Sequence, residues 1–250
     1  MKFAAAAVAL VFALLPAMPA AALTQSQAIG KKEVYEAQTI MHKFGIPYGP
    51  YDGLNGPNTS QGLCIFRTAT GMTPSRANLD APTLAKLREY NANYENFHVP
   101  APTKNGKNTY VHVSQTCQSL MYVHNGKYMV TFQASTGGAG KETPNGTYAI
   151  GDTVKGWTCS TIYRDTCSTQ TAGQYATYKD AQGKTRNYGN MYNKRAFKNG
   201  GFYIHGSNNV PTTPGSGGCI RVTVPNADWI SQNIATGTTL FVDGRYNSNE

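Results

Sequence analysis

The sequence predicts an α+β, multi-domain chain: a small three-helix N-terminal domain followed by a mainly β domain of sandwich or barrel type. Two observations predict it. Between Lys31 and Tyr90 the apolar residues recur at helical spacing, and after Thr109 they recur at every second position between Gly/Asn turns. At 250 residues the chain is long enough for one large or two small cores.

The elements follow in order. Met1 and Lys2 open an Ala/Val/Leu/Phe run that reaches Leu15, is broken by Pro16 and Pro19, and ends at Ala20-Ala21-Ala22. A short positive start, a short apolar run and a small-residue end are the marks of a secretory signal peptide over 1–22, too short for a membrane span. Val34, Ala37, Ile40 and Met41 give the first helix, closed by Phe44-Gly45. The stretch 51–59 is dense in turn formers, and Thr59 is expected to cap a second helix carrying Leu63, Ile65 and Phe66. Asp80 with Pro82 opens a third through Leu84 and Leu87. Residues 91–107, with Pro100, Pro102 and Gly106, read as a linker. Beyond it Val111 and Val113 alternate with Tyr110, His112 and Ser114, and Asn125-Gly126 between two apolar runs is a hairpin signal. His112 and His124 read as structural, since no nucleophile or ligand set accompanies them. Phe202–Gly206 reads as a strand, Cys219–Val224 as a second extended run or a helix start, 225–234 as a helix and 239–242 as the closing strand.

Composition narrows the function. The formal charge is +9, or +8 once Lys2 leaves with the signal peptide. Lys and Arg are scattered rather than blocked, and export argues against nucleic acid; an anionic envelope polymer suits the charge, as does plain solubility. No pair of cysteines has metal-ligand spacing, and no cofactor or metal is expected. Five cysteines in an oxidising compartment leave one thiol over, and the other four allow three connectivities. Cys159 and Cys167 flank one short polar loop, which favours Cys159–Cys167 and leaves Cys64–Cys117 to tie the halves together. Loop-closure entropy gives roughly 2.5 kcal/mol for the short bridge and about 4 kcal/mol for the long one.

The fifth cysteine carries the chemistry. Cys219 sits in Ser216-Gly217-Gly218-Cys219-Ile220-Arg221, fourteen residues after His205. Cysteine attacks as thiolate, and a free pKa of about 8.5 leaves only a small ionised fraction at neutral pH. An imidazole can take the proton, backbone N–H groups of a Gly-rich loop can hold an oxyanion, and an arginine can hold a carboxylate. Singly, a Cys is more often a buried hydrophobe and a His more often structural; the constellation is the signal.

The segments Ile204-His205-Gly206-Ser207 and Ser216-Gly217-Gly218-Cys219-Ile220-Arg221 resemble the signature of L,D-transpeptidases with the YkuD-type catalytic domain. Ser135-Thr136-Gly137 and Thr143-Pro144-Asn145-Gly146-Thr147-Tyr148 are similar to that family's S-T-G and T-P-x-G stretches, and Asn190-Met191-Tyr192 lies where it often has a cleft segment. The catalytic domain would span 108–245. The family usually has His directly before the Gly-Cys pair; this chain has Gly217. The resemblance implies a cysteine acyltransferase acting on peptidoglycan peptide stems, located in the periplasm or cell envelope. In it Cys219 is the nucleophile and His205 the base. Gly217, Gly218, Ser216, Gly206 and Ser207 support the loop and oxyanion; Arg221, Tyr203, Asn190 and Met191 line the substrate. Arg221 is equally a structural ion-pair candidate, and Tyr203 reads more readily as packing. An L,D-carboxypeptidase, a wall-binding protein with weak chemistry and a secreted effector are the alternatives.

The first 31–90 residues also resemble the small peptidoglycan-binding domain of wall enzymes. The positions that match are Gln38, Gly45, Asp52-Gly53, Gly56-Pro57-Asn58-Thr59, Phe66, Gly71, Leu79-Asp80 and Thr83-Leu84. Its usual F-Q is Phe66-Arg67 here. Tyr48 and Tyr51 beside the turn are candidates for contact with sugar or peptide, or plain amphipathic surface.

Overall fold

The computed structural model describes residues 29–47, 49–96, 98–158, 177–179, 182–183, 185–187 and 191–247. The expected signal peptide, the Cys159–Cys167 bridge, Tyr48 and Asn190 lie outside these residues.

Three helices come first: α1 (Lys31–Lys43), α2 (Pro57–Ala69) and α3 (Ala81–Asn93). Gly45 at φ 66° stops α1, a conformation that glycine adopts without strain. Helix α2 starts earlier than expected. Gly56 is its extended N-cap and Pro57 its first residue, because proline's fixed φ suits a position whose N–H has no partner. Thr59 is therefore inside the helix, and its hydroxyl accepts from Gln38 Nε2 at 3.0 Å. Asp80 caps α3, accepting from Thr83 N–H at 2.8 Å.

One buried amide organises the turn between α1 and α2. Gln38 Oε1 accepts the N–H of Asp52 and of Gly53, while its Nε2 donates to Asp52 Oδ1, Leu54 O and Thr59. Arg67, the departure from the usual Gln, is buried; its guanidinium donates to Thr83 Oγ1 and to the carbonyls of Ser75, Ala77 and Asn78. It thus fixes the α2–α3 connection.

The β domain has two main sheets. The first orders β3 (Lys127–Gln133), β2 (Ser119–His124), β1 (Tyr110–Ser114), β11 (Thr239–Asp243) and β4 (Gly146–Ala149). The second orders β10 (Ile220–Val222), β9 (Phe202–Gly206), β8 (Met191–Lys198) and β5 (Thr153–Thr158). A hairpin of β6 (Thr177–Lys179) and β7 (Thr185–Asn187) stands apart, and α4 (Val224–Asn233) links β10 to β11. Pairing is antiparallel except β1 with β11 and β9 with β10. The β2–β3 hairpin turns at Asn125 and Gly126, at φ 49° and 73°, as an Asn-Gly two-residue turn requires. The stretch Cys219–Val224, read as an extended run or a helix start, holds both: the short strand β10 and then the start of α4, capped by Thr223.

All of β1 is buried, although its sequence alternates. The reason is that the first sheet is covered twice. Val111, Val113, Leu120, Leu240 and Val242 face the second sheet and α4, joining Phe197, Ile204, Ile220, Val222 and Ile230. Tyr110, Met121, Val123, Tyr128 and Phe241 face the helices, in one core with Ile40, Met41, Leu63, Phe66 and Leu87. Cys64 of α2 is bonded to Cys117 in the β1–β2 turn, with Cα atoms 5.3 Å apart. Gln61 Nε2 donates to Gln118 O beside it at 2.6 Å. His112 joins a polar cluster: its Nε2 meets Asp243 Oδ1 at 2.8 Å, and Lys104 bonds the other carboxylate oxygen. Burial raises the Asp243 pKa, but the bonds from His112 and Lys104 outweigh it and hold the carboxyl at about 2.

Candidate active site

The parallel pair β9–β10 builds the site. Its register sets Ile204 beside Ile220 and His205 beside Arg221. Neighbouring positions in register share a face and successive residues alternate. Ile204, Ile220 and Val222 take the core face, so His205 and Arg221 take the opposite one. Cys219, one residue before β10, lies along Tyr203, whose backbone hydrogen-bonds its sulfur. Cys219 Sγ also lies 3.6 Å from Gly201 O.

The loop before the thiol is held by two hydroxyls. Ser216 Oγ donates to Cys219 O at 2.6 Å and accepts the Gly218 N–H at 3.0 Å. Thr143 Oγ1 donates to Gly218 O and accepts the Gly137 N–H, both at 2.9 Å. Gly138 N–H donates to Ser216 O, Ser216 N–H to Thr136 O, and Ser135 and Arg221 exchange both backbone bonds at 2.9 Å. The S-T-G and T-P-N-G segments are thus the scaffold of the thiol loop. Gly218 sits at φ 111°, and a Cβ there would come within 2.8 Å of the Phe202 ring, so both the backbone and the space demand glycine. Gly217 is exposed at the loop's edge.

The electrostatics follow from burial. His205 is 4% exposed, and its Nδ1–H donates to Gly206 O at 3.0 Å. A carbonyl only accepts, so in the neutral ring Nε2 is the unprotonated nitrogen. Burial pushes the His205 pKa down to about 4, opposed by the bond to Gly206 and helped by Arg221 and Lys194. Burial pushes the Cys219 thiol up, opposed by the Tyr203 backbone and by the Arg221 and Lys194 charges. At neutral pH the pair therefore rests as thiol and imidazole, both uncharged.

The remaining candidates are placed as follows. Ser207 Oγ donates to Asn209 O at 3.2 Å and closes its own turn, while Ser207 N–H extends the β9–β10 ladder to Val222 O. Gly206 has no room for a side chain: a Cβ would stand 3.0 Å from Ala227 and from Tyr192. Tyr203 lies under Lys194, whose Nζ is 4.9 Å from the ring centroid. Met191 is buried at the start of β8. Thr143 was legible only as part of a motif, and Lys194 carried no signal beyond its charge in a polar run, Asn193-Lys194-Arg195. A cavity of about 750 Å³ is lined by Thr136, Gly137, Thr143, Pro214 and Arg245; neither Cys219 nor His205 lines it. Among the described residues no cluster of three His, Cys, Asp or Glu could hold a metal, and no helix is long and apolar enough to cross a membrane.

Comparison with known proteins now bears on this geometry. The model of the L,D-transpeptidase catalytic domain (YkuD) matches residues 108–242. The match spans more than half of the chain, and the protein belongs to that family. Among solved structures, an L,D-transpeptidase from Xylanimonas cellulosilytica is 24% identical, with a TM-score of 0.52 over 84% of this chain and 93% of that one. It shares the fold: helices before a two-sheet β domain. An L,D-transpeptidase from Stackebrandtia nassauensis gives 19% identity and a TM-score of 0.45, over 86% of this chain and 91% of that one. One from Mycobacterium smegmatis gives 17% and 0.42, over 57% and 65%. No curated protein matches the sequence.

Proposed function

We propose that the chain is an exported cysteine L,D-transpeptidase that acylates itself on a peptidoglycan tetrapeptide stem. The observation that carries this reading is the shared face of β9 and β10, where a thiol and a neutral imidazole stand beside a cation under a fixed glycine loop. His205 Nε2 takes the Cys219 proton. The sulfur attacks the carbonyl between the third stem residue and the terminal D-alanine, and the oxyanion is held by backbone N–H groups. Gly218 N–H already donates to Ser216 Oγ, so we assign that role to the amides of Gly217 and Cys219. The C–N bond breaks, D-alanine leaves with the proton from His205, and a thioester remains. An amine from a second stem attacks the thioester, gives up a proton to His205, and releases the thiol with a new amide cross-link. Arg221 holds a stem carboxylate.

For the helical unit we propose wall attachment. Tyr35 and Tyr51 are exposed with ring centroids 6.0 Å apart, and His42 stands edge-on to Tyr51 at 5.3 Å between ring centroids. Aromatic faces of this kind stack on sugar rings while their polar edges stay wet. Retention of a Tyr35→Ala/Tyr51→Ala variant on insoluble peptidoglycan, equal to that of the parent, would remove this part.

The enzymatic reading is tested with the chain lacking 1–22 and its Cys219→Ala variant, each incubated with a disaccharide-tetrapeptide and followed by mass spectrometry. Cross-linked dimer that requires Cys219 is the expected result. Free D-alanine without dimer would mean that water is the acceptor and the enzyme a carboxypeptidase. No reaction at all would mean that Gly217 marks a site without efficient chemistry.

A further inference from the structure

The pairing of β8 with β9 is broken opposite His205. Tyr192 pairs with Gly206 and Arg195 with Ile204, so Asn193 and Lys194 together oppose His205. Two residues against one is a β-bulge, a device that re-aims a side chain. The bulge is built rather than accidental. Asn193 takes φ 47°, a left-handed conformation that asparagine tolerates. Its side chain is locked at both ends, Oδ1 accepting the Gly156 N–H and Nδ2 donating to Asp228 Oδ1, each at 2.8 Å. Arg195 turns inward, donating to Gly151 O and to Ile230 O and Ile234 O in the last turn of α4. Asn193 and Arg195 are buried. Lys194 between them is half-buried and points to the other side, over the Tyr203 ring. The backbone of Tyr203 is the one that bonds the Cys219 sulfur.

Strand β9 lies between β8 and β10, so Lys194 and Arg221 flank His205 from opposite sides of one face. Two cations beside a neutral thiol–imidazole pair are not needed to complete that pair. They suit an anionic ligand, and in the reaction proposed above the leaving residue carries its carboxylate one residue beyond the attacked carbonyl. We propose that Lys194 is a specificity-determining residue that, with Arg221, clamps the terminal carboxylate of the donor stem. This deepens the transpeptidase reading and rests on it. The ring of Tyr203 holds the Lys194 ammonium beside the site, and a compact ammonium on a long stem can turn from it to such a carboxylate.

The test compares a tetrapeptide donor ending in a free carboxylate with the same peptide ending in an amide, in the chain lacking 1–22. The parent is expected to prefer the acid in kcat/KM, and Lys194→Met to shrink the acid-to-amide ratio about tenfold, mainly through KM. Lys194→Arg should restore most of the ratio, since a cation is kept. A ratio unchanged in Lys194→Met, or both donors slowed alike, overturns the clamp. Calorimetric titration of Cys219→Ala and Cys219→Ala/Lys194→Met with the two peptides separates this from the parent reading. If the active parent turns over neither donor, the transpeptidase proposal fails. The clamp then stands or falls on whether Lys194→Met removes a preference for the acid in binding.

Discussion

The two main sheets are built to different rules. The first is regular at its centre: β1 pairs with β2 and β11 without interruption, its register shift is confined to the outer β2–β3 pair at Tyr122/Val123, and its five strands are held between helices on one face and the second sheet on the other. The second sheet is irregular. Its register breaks between β5 and β8 and twice between β8 and β9, its thiol loop contains a glycine at φ 111°, and Lys194 and Arg221 share one face with His205 while Arg195 turns to the other. A regular sheet maximises buried apolar area; an irregular one gives up ladder bonds to aim particular groups. Stability and chemistry are therefore separated by sheet, and lesions should separate the same way.

The largest stability effect belongs to the first sheet. Cys64–Cys117 closes a loop with a sequence separation of 53 residues. Loop-closure entropy puts its contribution at about 4 kcal/mol. The Cys64→Ala/Cys117→Ala variant should melt roughly 10 °C lower, with turnover at 25 °C within about twofold of the parent. A fall in turnover at full folding would show that the two sheets are less separable than their packing implies.

Next comes the buried imidazole of the second sheet. His205 has its pKa lowered from 6.5 to about 4 by burial. Between these values the unfolded chain binds a proton that the folded one refuses, so stability falls as pH drops through this window and levels off below it. At 1.36 kcal/mol per pKa unit, the loss is roughly 3 kcal/mol. Denaturant melts at pH 7, 6, 5 and 4 measure it, and His205→Gln should flatten that part of the profile while lowering activity at least about 10³-fold. Asp243 works in a lower window: its stabilisation is full above pH 3.8 and is lost as pH falls toward 2. An undiminished slope between pH 6.5 and 4 in His205→Gln would mean that another group titrates there.

Third is Gly218. An alanine at φ 111° is strained whatever its surroundings, and here its Cβ would also press on the Phe202 ring at 2.8 Å. Gly218→Ala should lower kcat by about 10–100-fold, because the adjacent thiol moves, while Tm falls by only a few degrees. Equal loss of activity and stability would place Gly218 among residues that hold the fold rather than aim the sulfur.

The same division explains what the sequence revealed. The Asn125-Gly126 hairpin, the Asp80 cap, and the strand and helix around Cys219 were legible because each rests on local chemistry. The β9 strand was legible from its own apolar run, and the order of the S-T-G, T-P-N-G, H-G and G-C-I-R segments because the resemblance covers them; the structure adds why: Thr136 and Thr143 hold the loop directly. Three things were not legible. The Tyr110/His112/Ser114 face of β1 looked half-polar because nothing local announces that helices cover it. The start of α2 was misplaced because Gly56 leaves no side-chain cap to read and Thr59, a good cap by type, instead serves Gln38. Strand β8 was hidden because two of its inward positions, Asn193 and Arg195, are polar, so its burial alternates where its sequence does not, and with it the position of Lys194.

The smallest effect returns to the first sheet and to the segment joining it to the helices. Tyr110 is buried, edge-on to Phe241 at 5.4 Å, and its hydroxyl donates to Pro102 O at 2.7 Å. The hydroxyl is the one polar link from β1 to that proline, so Tyr110→Phe keeps the ring packing and leaves a carbonyl short of its donor. Such a lesion is worth about 1 kcal/mol. On the rule drawn from the two sheets it should lower Tm by a few degrees and leave the acid-to-amide ratio and kcat untouched. Hydrogen exchange should quicken locally between 99 and 110. If instead kcat falls, the helix-covered face of the first sheet is coupled to the thiol through Phe241 and β11, and the separation by sheet fails at its most remote point.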